Sequence, residues 1–114
     1  MTAQSDILDD VFGALADASR RRILEAVKEK DMTVLELAGM FDISLPAVSK
    51  HLKVLDKAGL LRREKEGRFI KCHYNPEPVS KAVKWILEQQ RFWNESFDAL
   101  DSFLARNENK EKDI

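Results

Sequence analysis

The chain contains little cysteine, proline or glycine, and it has no long apolar run. One cysteine, Cys72, among 114 residues excludes an intramolecular disulfide and favours a reducing, cytoplasmic location. Three prolines and four glycines beside 44% hydrophobic residues are typical of one folded domain. Because apolar runs are only a few residues long and the N-terminus MTAQSDILDD is acidic, we expect neither a membrane span nor a signal peptide.

The sequence also lacks the motifs of common enzymes. It has no glycine-rich phosphate loop, no nucleophile beside a base and no set of metal ligands. We therefore expect no catalytic residues, no metal site and no cofactor.

The net charge of −1 conceals an uneven distribution of charge along the chain. Residues 1–43 carry −4, residues 44–74 carry +5 and residues 75–114 carry −2. Since salt screens exposed charges over about 8–10 Å, DNA would sense the local positive charge more than the whole-molecule charge. Charge runs are also common on merely solvated faces, so the helix pattern must decide between the two interpretations.

The segment SLPAVSKHLKVLDKAG, residues 44–59, predicts a helix with one buried face and one basic face. Ser44 suits the N-cap, and Gly59 suits the position after the helix end. The side predicted to face inward carries Leu45, Val48, Leu52 and Leu55. The opposite side carries Pro46, Ala47, Lys50, Lys53 and Lys57, with Ser49 at its edge. Small residues near the start and lysines further along suit close approach to a DNA major groove.

Three helices are predicted before this segment. The first carries an apolar face from Ile7 to Ala16, and Ser19 is the expected cap of the second. Thr33 and Glu36 have the spacing of a capping box for a short third helix. Because only a short connection separates that third helix from Ser44, the two helices form a predicted helix-turn-helix.

Two extended segments follow Gly59 and predict a β-hairpin. LLRREKE and RFIKCHY are joined at Glu66-Gly67, and charged residues cluster near the tip. A hairpin directly after a helix-turn-helix is the wing of a winged helix. The predicted fold is therefore mainly α (α+β), with five helices and a two-stranded wing, spanning residues 7–106 between flexible tails at 1–6 and 107–114.

The last helix, predicted from Val79 to Arg106, carries more apolar surface than a small core can cover. Two apolar flanks beside an apolar first helix indicate a two-fold dimer that forms through the first and last helices. The alternative is that these side chains only complete the core of one chain. The residues expected to form the dimer are Phe12, Leu15, Trp85, Phe92, Trp93, Phe97, Leu100 and Leu104.

Three segments together resemble the ArsR family of bacterial and archaeal winged-helix repressors. They are VFGALADASRRRILEAV, LELAGMFDISLPAVSKHLKVLDKAGLL and RREKEGRFIKCHYNP. The resemblance implies a homodimeric transcriptional repressor with its capped helix in the major groove and its wing on the neighbouring DNA backbone. Many relatives sense metals through cysteines in the third helix or through Asp and His in the last helix. Here LELAGMFDIS has neither Cys nor His and residues 79–104 have no His, so the chain resembles the subgroup without metal-sensing ligands.

Individual DNA contacts follow from side-chain chemistry. Lys50 is the leading candidate to donate to guanine N7 and O6, with a phosphate contact as its alternative. Ser49 suits a base or a phosphate, and Leu45 or Pro46 suits a thymine methyl group. The phosphate candidates are Lys53, Lys57, Arg62, Arg63, Lys65 and Arg68, of which Arg68 alternatively suits the minor groove.

Two other functions are compatible with the sequence. A winged helix can serve as a protein-interaction module, and Cys72 could make a repressor responsive to thiol chemistry or metal. Adjacent strand residues point to opposite faces, so Cys72 and His73 do not readily chelate one ion, and a lone thiol is more often a packing residue.

Overall fold

The structure is a computed structural model that describes the backbone of residues 3–112 and the side chains of residues 6–107. In order along the chain, its elements are α1 (Ala3–Leu15), α2 (Ala18–Glu29), β1 (Met32–Thr33), α3 (Val34–Phe41), α4 (Leu45–Lys57), β2 (Leu61–Glu66), β3 (Phe69–Tyr74) and α5 (Glu77–Lys112). Within the described range, five helices and a small antiparallel sheet confirm the predicted winged helix-turn-helix.

The turn between α1 and α2 differs from the prediction. Asp17, rather than Ser19, caps α2, because its Oδ1 accepts from the backbone N–H of Arg20 at 3.1 Å. This hydrogen bond is the main reason that the pKa of Asp17 lies below its usual value. The Arg20 side chain donates back to the carbonyls of Ala14 and Gly13, so it satisfies the open end of α1.

The helix-turn-helix is formed by α3 and α4 as predicted. Thr33 and Glu36 form a capping box in which each side chain accepts from the other residue's backbone N–H. Helix α3 ends at Phe41 and is followed by its C-cap Asp42, whose φ of 52° is in the left-handed region. Asparagine and aspartate tolerate this conformation better than most residues, which permits the abrupt change of direction before α4.

The wing belongs to a three-stranded sheet, where two strands were predicted. The strand order is β1-β3-β2, and all pairs are antiparallel. Glu66 pairs with Phe69, so the connecting residues are Gly67 and Arg68, one position later than expected. Gly67 has a φ of 61°, a value that glycine adopts without strain.

The core lies among the described residues up to Ala82, which form one compact unit. Val48, Leu52 and Leu55 from α4 are completely buried, as predicted. Leu45 was also expected to face inward, but this was wrong because its side chain is 44% exposed at the first turn. The other fully buried large side chains include Val11, Ile23, Val27, Leu37, Leu60 and Cys72.

Helix α5 is longer than the predicted 79–106, since it begins at Glu77 and continues to Lys112. Its first turns belong to the compact unit, and the helix from Val83 onward forms a second unit. The flexible tails expected at 1–6 and 107–114 remain predictions, and residues 1, 2, 113 and 114 lie outside the described backbone. Within the described residues, no helix is both long and apolar enough to cross a membrane.

Candidate nucleic-acid interface

Helix α4 presents a basic face opposite its buried face. The Ser44 hydroxyl accepts from the backbone N–H of Ala47 at 3.3 Å, and Pro46 lies in the first turn, where its missing N–H costs nothing. These features fix the start of the helix. The exposed DNA candidates on α4 are Leu45, Pro46, Ser49, Lys50, Lys53 and Lys57, and Ala47 is partly buried.

The two faces of the β2–β3 hairpin have different surroundings. Alternation along the strands places Arg63 and Lys65 on the side of buried Leu61 and Cys72. Arg62 lies on the other side with Glu64 and Glu66, and its Nη2 is 3.5 Å from the Glu64 carboxylate. The candidate cations of the wing therefore do not form one continuous surface.

Arg63 is the DNA candidate whose surroundings differ most from the expectation. Its Nε donates to Oδ2 of Asp56 at 2.9 Å, and both side chains are about one-third exposed. Arg63 also borders a shallow groove with Lys53 and Lys57 of α4. It therefore contributes positive charge near these lysines while an acid holds its guanidinium, so a phosphate contact would compete with Asp56.

The tip of the wing lies beside the start of α4. Leu45 and Ser49 share a crevice of about 210 Å³ with Arg68, Phe69 and Ile70. Phe69 and Ile70 are 50% and 46% exposed. In the sequence both belong to the predicted extended segment RFIKCHY. Their adjacency to α4 depends on the folded wing and has no local signal in the sequence.

The cysteine is poorly placed for thiol chemistry. Cys72 has no exposed surface, and it packs in the core opposite Met32 and Arg63 in the sheet. Burial raises the pKa of its thiol to about 11, so the reactive thiolate is scarce at neutral pH. These observations oppose the alternative in which Cys72 makes the protein responsive to thiol reagents.

The expected dimer residues in the later turns of α5 are about half exposed or more. Phe92, Trp93 and Phe97 have exposed fractions of 58%, 56% and 57%, and Leu100 and Leu104 are about half exposed. The Trp93 ring lies 5.7 Å from the Phe92 ring and 6.0 Å from the Phe97 ring, between centroids.

The remaining expected dimer residues are less exposed. Phe12 and Trp85 have exposed fractions of 39% and 40%. Leu15 is partly buried against the core of its own chain, so only part of its surface is available to a second chain.

Comparison with known proteins assigns the chain to a family. The profile described as "Bacterial regulatory protein, arsR family" matches residues 17–63. The transcriptional repressor SdpR of Bacillus subtilis is 35% identical over 80 residues, which cover 70% of this chain and 89% of SdpR. The chain belongs to the ArsR family. The arsenical resistance operon repressor of Escherichia coli, another relative, is 33% identical over 97 residues, covering 84% of this chain and 83% of that repressor.

Solved structures of ArsR-type regulators share the fold. An ArsR family transcriptional regulator, RHA00566, superposes with a TM-score of 0.75 at 37% identity, covering 82% of this chain and 97% of that one. An ArsR-like regulator from Rhodococcus sp. RHA1 gives a TM-score of 0.80 at 26% identity, covering 90% and 96% of the two chains. The prediction of an ArsR-family transcriptional regulator rather than an enzyme is thereby confirmed.

Proposed function

We propose that this ArsR-family protein is a homodimeric repressor that binds an inverted-repeat operator and occludes its promoter. The main support is that one face of α4 is buried and the opposite face is basic. Val48, Leu52 and Leu55 are fully buried, and Lys50, Lys53 and Lys57 are exposed. The buried residues hold the helix on the body, and the exposed lysines are free to enter a major groove.

The start of α4 is the part that reads bases. Ser49 and Lys50 are exposed within its first two turns, beside the small side chains of Pro46 and Ala47. Small neighbours permit close approach, and lysine can donate to guanine N7 and O6. Lys50 therefore discriminates between bases, and Ser49 donates to a base or a phosphate.

Phosphate contacts come from the remaining cations. Lys53 and Lys57 continue the exposed face of α4, and Arg62, Lys65 and Arg68 project from the wing. Neutralising phosphates with these groups releases counterions, which makes affinity fall steeply with salt. Arg63 has a smaller role, because Asp56 already pairs with its guanidinium.

The second chain covers the aromatic side chains of α5. Trp93, Phe97, Leu100 and Leu104 follow helical spacing, and each exposes about half of its surface. Aromatic anchors of this kind are enriched in protein interfaces. A relative of the same fold from Mycobacterium bovis, 22% identical, is described as a homodimeric winged helix-turn-helix DNA-binding domain. A two-fold dimer would present two copies of α4 to two half-sites.

Operator binding in this proposal does not require a metal. Helix α3 has no Cys or His, and residues 83–107 of α5 have neither residue. The cysteine and histidine ligands through which the resemblance implied metal sensing are therefore missing from both segments. Control of DNA binding then depends on the amount of protein or on another molecule.

The test is a titration of a fragment of the protein's own promoter at several salt concentrations, with metal-free protein. A random-sequence duplex of equal length is the control. The proposal predicts a tighter complex with the promoter fragment and a linear fall of log affinity with log salt. Equal, weak binding to both duplexes would contradict it and favour a protein-interaction module.

A further inference from the structure

A histidine and three carboxylates meet on the side of the wing that faces away from buried Cys72. His73 belongs to β3, Glu64 and Glu66 belong to β2, and Asp31 precedes β1. Arg62 pairs with His73 in the sheet, so these two side chains lie on the same face. Alternate residues of β2 share a face, which places Glu64 and Glu66 on that face as well. Asp31 thus joins three residues that lie more than 30 positions later in the sequence.

The Asp31 carboxylate orients the His73 ring. Its Oδ2 lies 2.9 Å from Nδ1 of His73, and because an ionised carboxylate only accepts hydrogen bonds, this contact favours a proton on Nδ1 and makes Nε2 the nitrogen that a metal ion would use. Nε2 has no hydrogen-bond partner among the described residues and is shielded from solvent. A histidine held by a carboxylate through one nitrogen, with its other nitrogen open, is the usual arrangement of a metal ligand.

The open nitrogen points toward two carboxylate oxygens. Nε2 is 3.3 Å from Oε2 of Glu64 and 4.0 Å from Oε1 of Glu66, and the three potential ligand atoms lie within 4.8 Å of one another. Zinc binds such ligands at about 2.0–2.2 Å, so tetrahedral neighbours lie about 3.3–3.6 Å apart. The distance between His73 and Glu64 already matches this value. The Glu66 side chain is half exposed and can move the remaining distance toward Nε2.

We infer that His73, Glu64 and Glu66 form a site for a divalent first-row metal ion on the wing, oriented by Asp31. One imidazole and two carboxylates suit an ion such as Zn²⁺, and the lack of thiolates excludes a preference for soft ions. Three protein ligands leave a fourth position for water. None of the three ligands is among the residues proposed to contact DNA, and the site lies outside α3 and α5.

Two cations compete with the ion. The Nζ of Lys71 is 3.8 Å from Glu66, and Arg62 is 3.5 Å from Glu64. Both are long contacts, and exposed ion pairs of this kind contribute little, so a divalent ion is able to displace them. Replacing Lys71 with glutamine should therefore strengthen metal binding.

The experiment is a Zn²⁺ titration of full-length, metal-free protein in competition with a chromophoric chelator. We expect one tight ion per chain, a loss of at least tenfold in His73→Gln and Glu64→Gln, and a loss of about 10- to 100-fold in Asp31→Asn. Glu88→Gln removes an exposed carboxylate from α5 and should leave the affinity unchanged. Co²⁺ should give visible absorption of a low-coordinate site in the wild type and lose it in His73→Gln.

The result that overturns the inference is equal Zn²⁺ affinity in wild type, His73→Gln and Glu64→Gln, or an equal loss in Glu88→Gln. Either outcome means adventitious surface binding only. Glu64 is 53% exposed, so its substitution tests the site even where His73→Gln fails to fold. DNA binding by the metal-free protein is measured separately, and its failure would concern the proposed function alone.

Discussion

Nε of Arg63 donates to Oδ2 of Asp56 at 2.9 Å, and this contact joins the first wing strand to helix α4. It links two parts of the proposed DNA surface and also neutralises a cation next to Lys53 and Lys57. The pair therefore affects both the stability of the wing and the charge that DNA encounters.

Replacing Asp56 with asparagine should separate these two effects. The free energy of unfolding should fall by about 0.5–1 kcal/mol, because the pair is one-third exposed. DNA affinity at low salt should rise, because Arg63 becomes available to a phosphate. Urea unfolding and fluorescence anisotropy measure the two changes. Asp101→Asn makes the same change of charge on α5, so an equal gain in affinity there would show that only whole-molecule charge matters.

Lys50 and Lys53 should respond differently to substitution by alanine. Lys50→Ala should change the ranking of operator variants and cost about 1–3 kcal/mol on the preferred sequence. Lys53→Ala should weaken all sequences alike and reduce the salt slope by about one. Binding to a panel of single-base operator variants at three salt concentrations distinguishes these patterns. An unchanged ranking in Lys50→Ala would contradict its base-reading role.

The periodicity of apolar residues predicted the helices well, since α2, α3 and α4 each bury one stripe against a common core. Strand β1 was missed because two residues have no detectable period, and its partners Lys71 and Cys72 lie about 40 positions away. The contact that orients His73 was missed for the same reason, since Asp31 lies just before β1 and 42 positions from His73.

Two smaller errors arose where neighbouring residues were equally suited to the same role. Asp17 and Ser19 are both good caps, and only the folded chain shows that Asp17 accepts from Arg20. Arg63 and Arg62 look alike in the sequence, but Asp56 selects Arg63 because strand alternation turns it toward α4. The number of cations in the sequence therefore overstated the number available to DNA.

The buried thiol should make stability depend on pH in the alkaline range. The pKa of Cys72 is raised from its usual value of 9.0 to about 11, so the unfolded chain loses this proton first. This contribution to the free energy of unfolding is fully present below pH 9 and falls between about pH 9 and 11, by on the order of 2 kcal/mol. Urea unfolding from pH 8 to 11 measures the slope. Cys72→Ala is the control, and an identical slope in that variant would contradict the assignment.

An acid placed among the aromatic residues of α5 should dissociate the dimer. Phe97→Glu removes an apolar anchor and would bury a charge in the interface, so we expect a monomer at micromolar concentration and at least a tenfold loss of operator affinity. Sedimentation equilibrium measures the mass. Ser102→Glu adds the same charge to the polar side of the helix and should remain dimeric. A dimeric Phe97→Glu protein would place the interface elsewhere.

We propose that α4 reads an inverted-repeat operator without a metal. Selection of bound sequences from random DNA, with purified metal-free protein, tests it most directly. We predict enrichment of an inverted repeat whose half-sites lie about one helical turn, 10–10.5 base pairs, or a multiple of it apart. Recovery of no common motif, or of one only after metal is added, would contradict the claim.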